Sequence, residues 1–337
     1  MTSSPPIVIV GAGVLGLCTA FELHRRGRSV VVIDPGGANA SAVAAGMIAP
    51  AMEAAIDDAS PERAALFRVS RDLWPDFARA AGIALARRPA EWRGGDAAGI
   101  AARMRTLGFQ ARLDGERVVT DEEYQVDPGQ ALAAMTAALG DAVVNGRVKA
   151  VSRLDDGWRV ETDRGTLRAR ALVLATGAEG AIAGLPEAVR EQVAAIQPVR
   201  GQIGMTKQTL AGHVVRGTGA YVAPMGAGVV VGATMEPGRR DTAPDAATGE
   251  RLLEAAWRVL GRTPETLEID WRAGVRGASA DGLPLAGAAP GGQGVFMALA
   301  PRRNGWLLGP LVGAAVADAI EGEPASPHAR TLDPGRF

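Results

Sequence analysis

A glycine-rich hexapeptide near the start of the chain has the residue types and spacing that bind a dinucleotide. Residues 11–16 read GAGVLG, which fits G-x-G-x-x-G, and an acid, Asp34, follows Gly13 by 21 residues. In such a motif the glycines allow a tight turn, close approach of the backbone to a pyrophosphate, and close packing of helix on strand. The N–H groups at the start of the helix bind phosphate, and Asp34 is placed to accept hydrogen bonds from a ribose.

The elements around this hexapeptide are those that such a site needs. Residues 7–10 (IVIV) and 30–33 (VVVI) are continuous apolar runs, which are typical of buried parallel strands. Residues 16–26 lie between them and carry apolar side chains at helical spacing. The three segments therefore predict one βαβ unit at the start of the chain.

The rest of the chain predicts a mixture of helices and strands. Further helices are predicted over residues 61–81, 128–139, 249–260 and Gly309 to Ile320, the last with Pro310 in its first turn. Buried strands are predicted at residues 171–174 and 295–299. Glycines alternate with β-branched residues over 200–235, which indicates antiparallel strands.

Composition excludes several classes of function. The chain has 337 residues, which predicts about two domains, and its 36 basic and 37 acidic residues give a net charge of -1. That balance argues against nucleic-acid binding. The single cysteine, Cys18, excludes an intrachain disulfide, and three scattered histidines predict no metal site. No apolar run predicts a membrane span, and residues 1–6 lack the basic residues of a signal peptide, so we expect a cytoplasmic protein.

The residues between the glycine motif and Asp34 bear on the choice between FAD and NAD. Ala20, Leu23, Gly27, Val30 and Val32 stand at fixed steps after the motif. This extended pattern resembles the FAD-binding fingerprint of the glutathione-reductase-like flavoproteins, in which a glutamate usually stands where this chain has Asp34. Either carboxylate can reach a ribose, so the resemblance implies FAD.

Four more segments extend the resemblance over nearly the whole chain, and they follow in this order: residues 44–50 (AAGMIAP), 221–224 (YVAP) with 232–235 (GATM), 273–276 (AGVR) with 281–284 (DGLP), and 303–305 (RNG). Together they resemble the family of FAD-dependent amine and D-amino acid oxidases, and its glycine oxidase branch most of all. The chain departs from the family pattern at Gly277, where proline is usual, and at Ala300-Pro301, where Gly-His is usual. These departures affect the loops near the flavin.

The family resemblance implies an α/β fold. Its Rossmann-like FAD-binding domain is of the glutathione-reductase type, with an inserted α+β substrate domain built on an antiparallel sheet. The implied FAD-binding domain is discontinuous and comprises residues 1–83, 126–195 and 271–337. The implied substrate domain comprises residues 84–125 and 196–270.

The same resemblance implies a set of cofactor-binding residues. FAD would be bound without a covalent link, because the family members that attach flavin do so through a cysteine in the C-terminal half, and this chain has none there. The implied contacts are Gly11, Gly13, Val14, Leu15, Gly16, Asp34, Ala44, Ala45, Gly46, Met47, Val148, Thr176, Gly177, Arg302, Arg303, Asn304, Gly305 and Trp306.

An amino acid substrate needs a cation of fixed geometry for its carboxylate, and arginine supplies a two-pronged contact that lysine cannot. By resemblance Arg276 is that cation and Tyr221 donates a hydrogen bond to the same carboxylate. Arg303 and Met235 are implied to lie at the catalytic site. The flavin takes a hydride from the substrate Cα, so no acid–base pair is needed when the amine enters neutral.

The implied function is FAD-dependent oxidative deamination of glycine, and of other small amines or D-amino acids, with O2 reduced to H2O2. The imine of glycine would yield glyoxylate, or pass as dehydroglycine to a thiazole synthase partner in thiamine biosynthesis. The protein is expected to form a homo-oligomer and to bind neither nucleic acid nor membrane. The alternatives are a D-amino acid oxidase or dehydrogenase on the same fold, an NAD(P)-dependent dehydrogenase, and a cofactor-binding module without catalysis.

Overall fold

The computed structural model describes residues 4–37 and 39–337. Residues 1–3 and Ala38 lie outside the described residues. Ala38 is the first residue of a stretch of mostly small residues that extends to Ala51. In chain order the strands are β1 (Ile7–Val10), β2 (Val30–Asp34), β3 (Met47–Ile48), β4 (Leu85–Arg87), β5 (Ala90–Arg93), β6 (Arg112–Asp114), β7 (Arg117–Thr120), β8 (Tyr124–Val126), β9 (Val143–Asn145), β10 (Val148–Leu154), β11 (Gly157–Thr162), β12 (Gly165–Ala169), β13 (Ala171–Leu174), β14 (Gln197–Thr206), β15 (Val214–Gly217), β16 (Ala220–Met225), β17 (Gly228–Gly232), β18 (Glu236–Pro237), β19 (Asp270–Ala278), β20 (Leu285–Ala288) and β21 (Val295–Leu299). The helices are α1 (Val14–Arg25), α2 (Pro50–Ile56), α3 (Pro61–Ala81), α4 (Ala97–Thr106), α5 (Pro128–Leu139), α6 (Glu187–Ala194), α7 (Ala246–Leu260), α8 (Gly305–Glu321) and α9 (Pro327–Arg330), with short 3-10 turns at Gly140–Ala142 and Pro334–Arg336.

A central sheet carries the glycine motif. Its strand order is β20-β21-β13-β1-β2-β9. Every pairing in it is parallel except that of β20 with β21. Strand β1 is buried along its whole length, since one face packs with α1 and α8 and the other with the three-stranded sheet β10-β11-β12 and α6. This is the Rossmann-like arrangement that the sequence predicts, and it places the glycine motif at the carboxyl end of β1.

Helices α1 and α8 pack closely against each other beside the central sheet. A Cβ added at Gly309 would lie 2.8 Å from Cys18 Sγ, and one at Gly313 would lie 2.8 Å from the Cys18 carbonyl oxygen. Only glycine permits this approach. Cys18 is fully buried there, and burial raises the pKa of its thiol well above the usual range.

A second, larger sheet has no strand in common with the central sheet. Its order is β18-β14-β17-β16-β15-β5-β7-β6, and β19 pairs with β14. Its pairings are antiparallel except that β15 runs parallel to β5, which confirms the antiparallel strands predicted over residues 200–235. Helix α7 covers one face with Trp257 and Leu260, and an apolar cluster forms beneath it.

A small sheet, β3-β8-β4, links these two regions. Gln125 of β8 is buried, and its Nε2 donates to the carbonyl oxygens of Ala45 at 2.9 Å and Pro224 at 2.8 Å. One side chain thus fixes the small-residue loop against the large sheet. The remaining strands, β10-β11-β12, form a separate antiparallel sheet.

The last helix begins earlier than the sequence predicts. It starts at Gly305 rather than Gly309, so Pro310 lies inside the helix and not in its first turn. Leu307 of the added turn is buried, and its carbonyl oxygen accepts hydrogen bonds from Ser70 Oγ and Trp74 Nε1 of α3. This anchoring to α3 extends the helix, and tertiary contacts of this kind cannot be read from local sequence. Over residues 4–37 and 39–337, no helix is both long and apolar enough to cross a membrane.

Candidate functional site

A cleft of about 710 Å³ opens at the carboxyl ends of β1, β2 and β13. Its floor is main chain that has no room for side chains. Gly11 has φ +109°, and a Cβ there would lie 2.3 Å from the Ala175 carbonyl oxygen. A Cβ on Gly16 would lie 2.0 Å from the Gly11 carbonyl oxygen. The close turn and the close helix–strand packing that the motif predicts are therefore both present.

Polar groups in this cleft match the parts of a dinucleotide. Asp34 accepts hydrogen bonds from the backbone N–H groups of Ala12 and Gly36, both at 2.7 Å, which fixes the carboxylate at the end of β2. Ser41 Oγ accepts the N–H of Val14 at 3.0 Å, at the start of α1. Arg147, Lys149 and Arg240 line the same cleft, where Glu179 lies 3.5 Å from Arg147, and they are the cations available there to a pyrophosphate.

A smaller cavity, of about 100 Å³, continues the cleft inward and is called here the inner cavity. The two share Gly13, Ser41 and Gly177, so a long ligand can occupy both. Gly305, the first residue of α8, borders the inner cavity, which places the positive end of that helix there. Size, shape and charge therefore fit FAD.

Arg276 is the cation of the inner cavity that no carboxylate neutralises. Among the described residues it forms no ion pair, and its Nη1 lies 3.4 Å from both the Thr234 carbonyl oxygen and Met235 Sδ. Its guanidinium lies over Gly201 of β14, where a Cβ would come within 2.2 Å of Nη1. Burial, and after it the like charges of Arg303 and Arg302, lower the pKa of Arg276.

Tyr221 lies on β16 with its hydroxyl over Gly232, where a Cβ would come within 2.4 Å of Oη. No protein hydrogen bond to this hydroxyl occurs within residues 4–37 and 39–337. Burial raises the pKa of Tyr221, while the charge of nearby Arg276 acts in the opposite direction. The phenol is therefore a neutral hydrogen-bond donor beside an unpaired arginine, which is an arrangement suited to a carboxylate.

Arg303, in contrast, is paired with two acids. Its Nε donates to Glu53 Oε2, and its Nη2 lies 2.9 Å from Asp57 Oδ1. Burial acts the other way, but the charges of Glu53 and Asp57 raise the pKa of Arg303. Glu53 also accepts Arg216 Nη1 at 2.7 Å on its other oxygen. Burial alone would raise the pKa of Glu53, yet the charges of Arg303 and Arg216 lower it to about 2.

The structure brings most of the predicted contact residues together. Those in the cleft are Gly11, Gly13, Asp34, Val148, Thr176 and Gly177. Those at the inner cavity are Gly13, Val14, Leu15, Ala44, Gly177, Arg276, Arg302, Arg303, Gly305 and Trp306. The others are not part of either lining: Gly16, Ala45, Gly46, Met47, Asn304, Tyr221 and Met235, of which Met235 contacts Arg276 and Met47 contacts Arg216. Asn304 is buried and its carbonyl oxygen accepts the N–H of Leu308, so it supports α8 from outside the cavity.

None of the acids in this network was predicted from the sequence. Glu53 and Asp57 lie on and just after α2, among alanines, and Arg216 lies on β15. Ser41, Arg147, Lys149 and Arg240 of the cleft are also new. Only the position of Glu53 shortly after the 44–50 segment could have drawn attention to it, because no spacing motif links it to its arginines.

Comparisons with known proteins agree with this geometry. The family model described as FAD dependent oxidoreductase (DAO) matches residues 6–319. The glycine oxidase of Geobacillus kaustophilus is 30% identical over 364 residues, which cover 95% of this chain and 94% of that protein. The crystal structure of the glycine oxidase from Geobacillus kaustophilus superposes with a TM-score of 0.83 at 25% identity and covers 99% of each chain.

A different kind of relative also matches. The bifunctional protein MnmC of tRNA 5-methylaminomethyl-2-thiouridine biosynthesis from Caulobacter sp. strain K31 is 30% identical over 373 residues. The match covers 100% of this chain but 59% of that relative. The family model and the glycine oxidase structure confirm the predicted fold class and FAD as the cofactor, which speaks against the NAD(P) alternative.

Proposed function

The chain belongs to the DAO family of FAD-dependent oxidoreductases, and from this premise we propose that it oxidises glycine and other small amines or D-amino acids. The substrate would become an imine, which water hydrolyses to glyoxylate, or to the corresponding α-keto acid, and ammonia, while O2 is reduced to H2O2. One observation carries the proposal: within residues 4–37 and 39–337, Arg276 of the inner cavity has no ion-pair partner, and the nearby Tyr221 hydroxyl has no hydrogen-bond partner.

Each residue of this pocket would have its own role in the reaction. Arg276 binds the substrate carboxylate and Tyr221 donates a hydrogen bond to it, which holds Cα at a fixed distance from the cofactor. FAD, when bound, supplies the hydride acceptor. The positive end of α8 favours the negative charge that develops beside it. Glu53 and Asp57 are both paired with Arg303, so neither is free to act as a base, which suits a substrate amine that enters neutral.

The finer parts of the proposal rest on the glycine oxidase relatives and on the placement of residues around the cavities. They include the individual cofactor and substrate contacts. They also include the division into an FAD-binding domain and a substrate domain at the boundaries that the family resemblance implies. They also include transfer of dehydroglycine to a thiazole synthase, and a homo-oligomeric state.

A second candidate substrate is an amine attached to a larger molecule. The observation that favours it is the match to the MnmC of Caulobacter sp. strain K31, which extends over the whole of this chain. The net charge of -1 disfavours a tRNA substrate, since tRNA binding needs an excess of basic residues. We therefore place small free amino acids first.

An anaerobic flavin-bleaching screen tests the proposal. The oxidised protein is mixed with glycine, sarcosine, D-alanine, D-proline and D-phenylalanine, and peroxide is then measured in air. We expect glycine to bleach the flavin and bulky D-phenylalanine to react poorly. A far higher kcat/KM for D-phenylalanine would place the protein in the D-amino acid oxidase branch, and no bleaching with any amine would overturn the proposal. Acid precipitation should leave the yellow colour in the supernatant, since the only thiol, Cys18, is buried away from the cavities.

A further inference from the structure

We propose that Glu53 is a positioning residue that holds Arg303 as a second donor to the substrate carboxylate, opposite Arg276. This inference rests on the proposed function, because it assumes a carboxylate ligand in the inner cavity. It adds a residue, Glu53, that neither touches the ligand nor belongs to any motif.

Glu53 connects three segments that are distant from one another in sequence. Glu53 lies on α2 and is 8% exposed. One carboxylate oxygen binds Arg216 of β15, and the other binds Arg303, in the turn before α8. Both oxygens therefore take charge-assisted hydrogen bonds from arginines, 163 and 250 residues away in sequence.

Two of the three guanidinium nitrogens of Arg303 bind acids, and the third is left for a ligand. Its Nε is taken by Glu53 and its Nη2 by Asp57. Within residues 4–37 and 39–337, no hydrogen bond uses its Nη1. Since Arg303 lines the inner cavity together with Arg276, Nη1 is the group left to bind what enters.

Charge in the inner cavity favours an anion between the two arginines. Arg276 and Arg303 are close enough that the charge of Arg303 lowers the pKa of Arg276. Glu53 and Asp57 pair directly with Arg303, whereas among the described residues Arg276 has no carboxylate in contact and feels the charge of Glu53 only at a distance. A carboxylate placed between the two guanidinium groups would relieve their repulsion and accept hydrogen bonds from both.

Glu53 also acts on the part of the pocket that carries Tyr221. Arg216 is the antiparallel register partner of Tyr221, and its Nη2 lies 3.3 Å from Met47 Sδ. By binding Arg216, Glu53 ties the strand pair that carries Tyr221 to α2, and Met47 of β3 contacts the same guanidinium. The two walls of the pocket are thus set by one carboxylate, which remains ionised because its pKa is about 2.

The test measures binding of a carboxylate that cannot react. Acetate is titrated into the FAD-loaded protein and its Kd is read from the flavin difference spectrum, so that no oxidation is required. We expect Glu53→Gln to weaken acetate by about ten- to a hundred-fold, the value of one hydrogen bond between charged groups. Flavin content and Tm are recorded for each variant, so that loss of fold is separated from loss of binding.

Two further variants make the result specific to Arg303. Arg303→Gln should weaken acetate to a similar degree, and the double variant should be no weaker than Arg303→Gln alone, because both changes remove the same contact. Glu123→Gln is the matched control: Glu123 is an equally buried acid near Arg216, but it accepts only the N–H of Met52 and touches neither cavity. It should leave the Kd within two-fold of wild type.

The outcomes separate this proposal from the proposed function. Wild-type acetate affinity in a flavin-loaded Glu53→Gln protein, or full additivity in the double variant, would overturn the positioning role. If Glu53→Gln does not retain flavin, Glu53→Asp takes its place, since it keeps the charge but cannot reach both arginines, and the same two results decide. A wild-type protein that binds acetate but oxidises no amine would overturn the proposed function while the Glu53 measurement still stands.

Discussion

The FAD cleft and the inner cavity adjoin each other but are built from different parts of the polypeptide. The cleft is made of main chain: Gly11 and Gly16 approach other backbone atoms so closely that a single added methyl group would collide with them. The inner cavity takes its charge from long side chains of separate segments, Arg276, Arg302 and Arg303, and Glu53 of α2 supports Arg303 from behind.

This difference determines how each site can fail. A backbone site fails through sterics, because a rigid floor has no means of moving aside for a Cβ. A side-chain site fails through charge and orientation, because its groups can still fit the space but no longer bind. The following predictions test that distinction, starting with the largest expected effect.

Gly16→Ala should abolish FAD binding, or prevent folding, since its Cβ would lie 2.0 Å from the Gly11 carbonyl oxygen. The ratio of flavin to protein absorbance and the Tm report the loss. Gly95→Ala is the control, because Gly95 is exposed and a Cβ there meets nothing within 4 Å. A yellow, fully loaded Gly16→Ala protein would show that the cleft is less rigid than its geometry indicates.

Arg276→Ala should leave FAD in place and lower kcat/KM for glycine by about two to four orders of magnitude. The estimate follows from two hydrogen bonds to a charged group at roughly 1.5–3 kcal/mol each. Arg276→Lys keeps the charge but loses the planar contact, so we expect a loss of about one to two orders. Steady-state kinetics check both, with Arg272→Ala of the same strand as control, since Arg272 is exposed and paired with Asp270. Unchanged kinetics for Arg276→Lys would move the clamp to Arg303 or Arg302.

Tyr221→Phe should have a smaller effect, about ten-fold in kcat/KM, because one neutral donor to the carboxylate is lost and Arg276 remains. The flavin spectrum and Tm should be close to those of wild type. The only other tyrosine, Tyr124, lines neither cavity, and Tyr124→Phe serves as the control. Equal losses in the two variants would mean that Tyr221 acts through packing alone.

Glu123→Gln should alter stability rather than activity, and only at higher pH. Burial raises the pKa of Glu123 to about 7, with the charges of Glu53 and Glu122 acting in the same direction and Arg216 opposing them. The folded state therefore binds this proton more strongly than the unfolded state. The contribution of Glu123 to the free energy of unfolding should therefore fall by roughly 3 kcal/mol as pH rises from below 4.5 to above 7.

Glutamine cannot ionise, and it keeps the acceptor that binds the N–H of Met52. The Tm of Glu123→Gln should therefore match wild type at pH 5 more closely than at pH 8, where the variant should be several degrees more stable. Thermal unfolding at both pH values checks this. A Tm difference that is independent of pH would show that Glu123 does not titrate in this range.

The two sites also differ in how far the sequence predicts them. The glycine motif and Asp34 lie on one βαβ unit, so their spacing in sequence is nearly their spacing in space. The contacts of Arg303 could not be predicted in this way, because Glu53 reaches it across 250 residues and stands in a short helix with no motif of its own. Arg276 and Tyr221 were named through family resemblance and not through spacing. The start of α8 was misplaced because its first turn is stabilised by Ser70 and Trp74 of another helix.

Cys18 has a further consequence for a protein proposed to release H2O2. Peroxide attacks the thiolate form of cysteine, and it reaches side chains that water reaches. Cys18, the one cysteine of the sequence, is fully buried beneath Gly309, and its raised pKa keeps the thiol protonated. Met235 is the opposite case, since the residue is 36% exposed and its thioether lies next to Arg276. Oxidation during turnover should therefore first convert Met235, at the substrate pocket, to methionine sulfoxide. Cys18, within the helix packing that supports the cofactor, should remain unmodified.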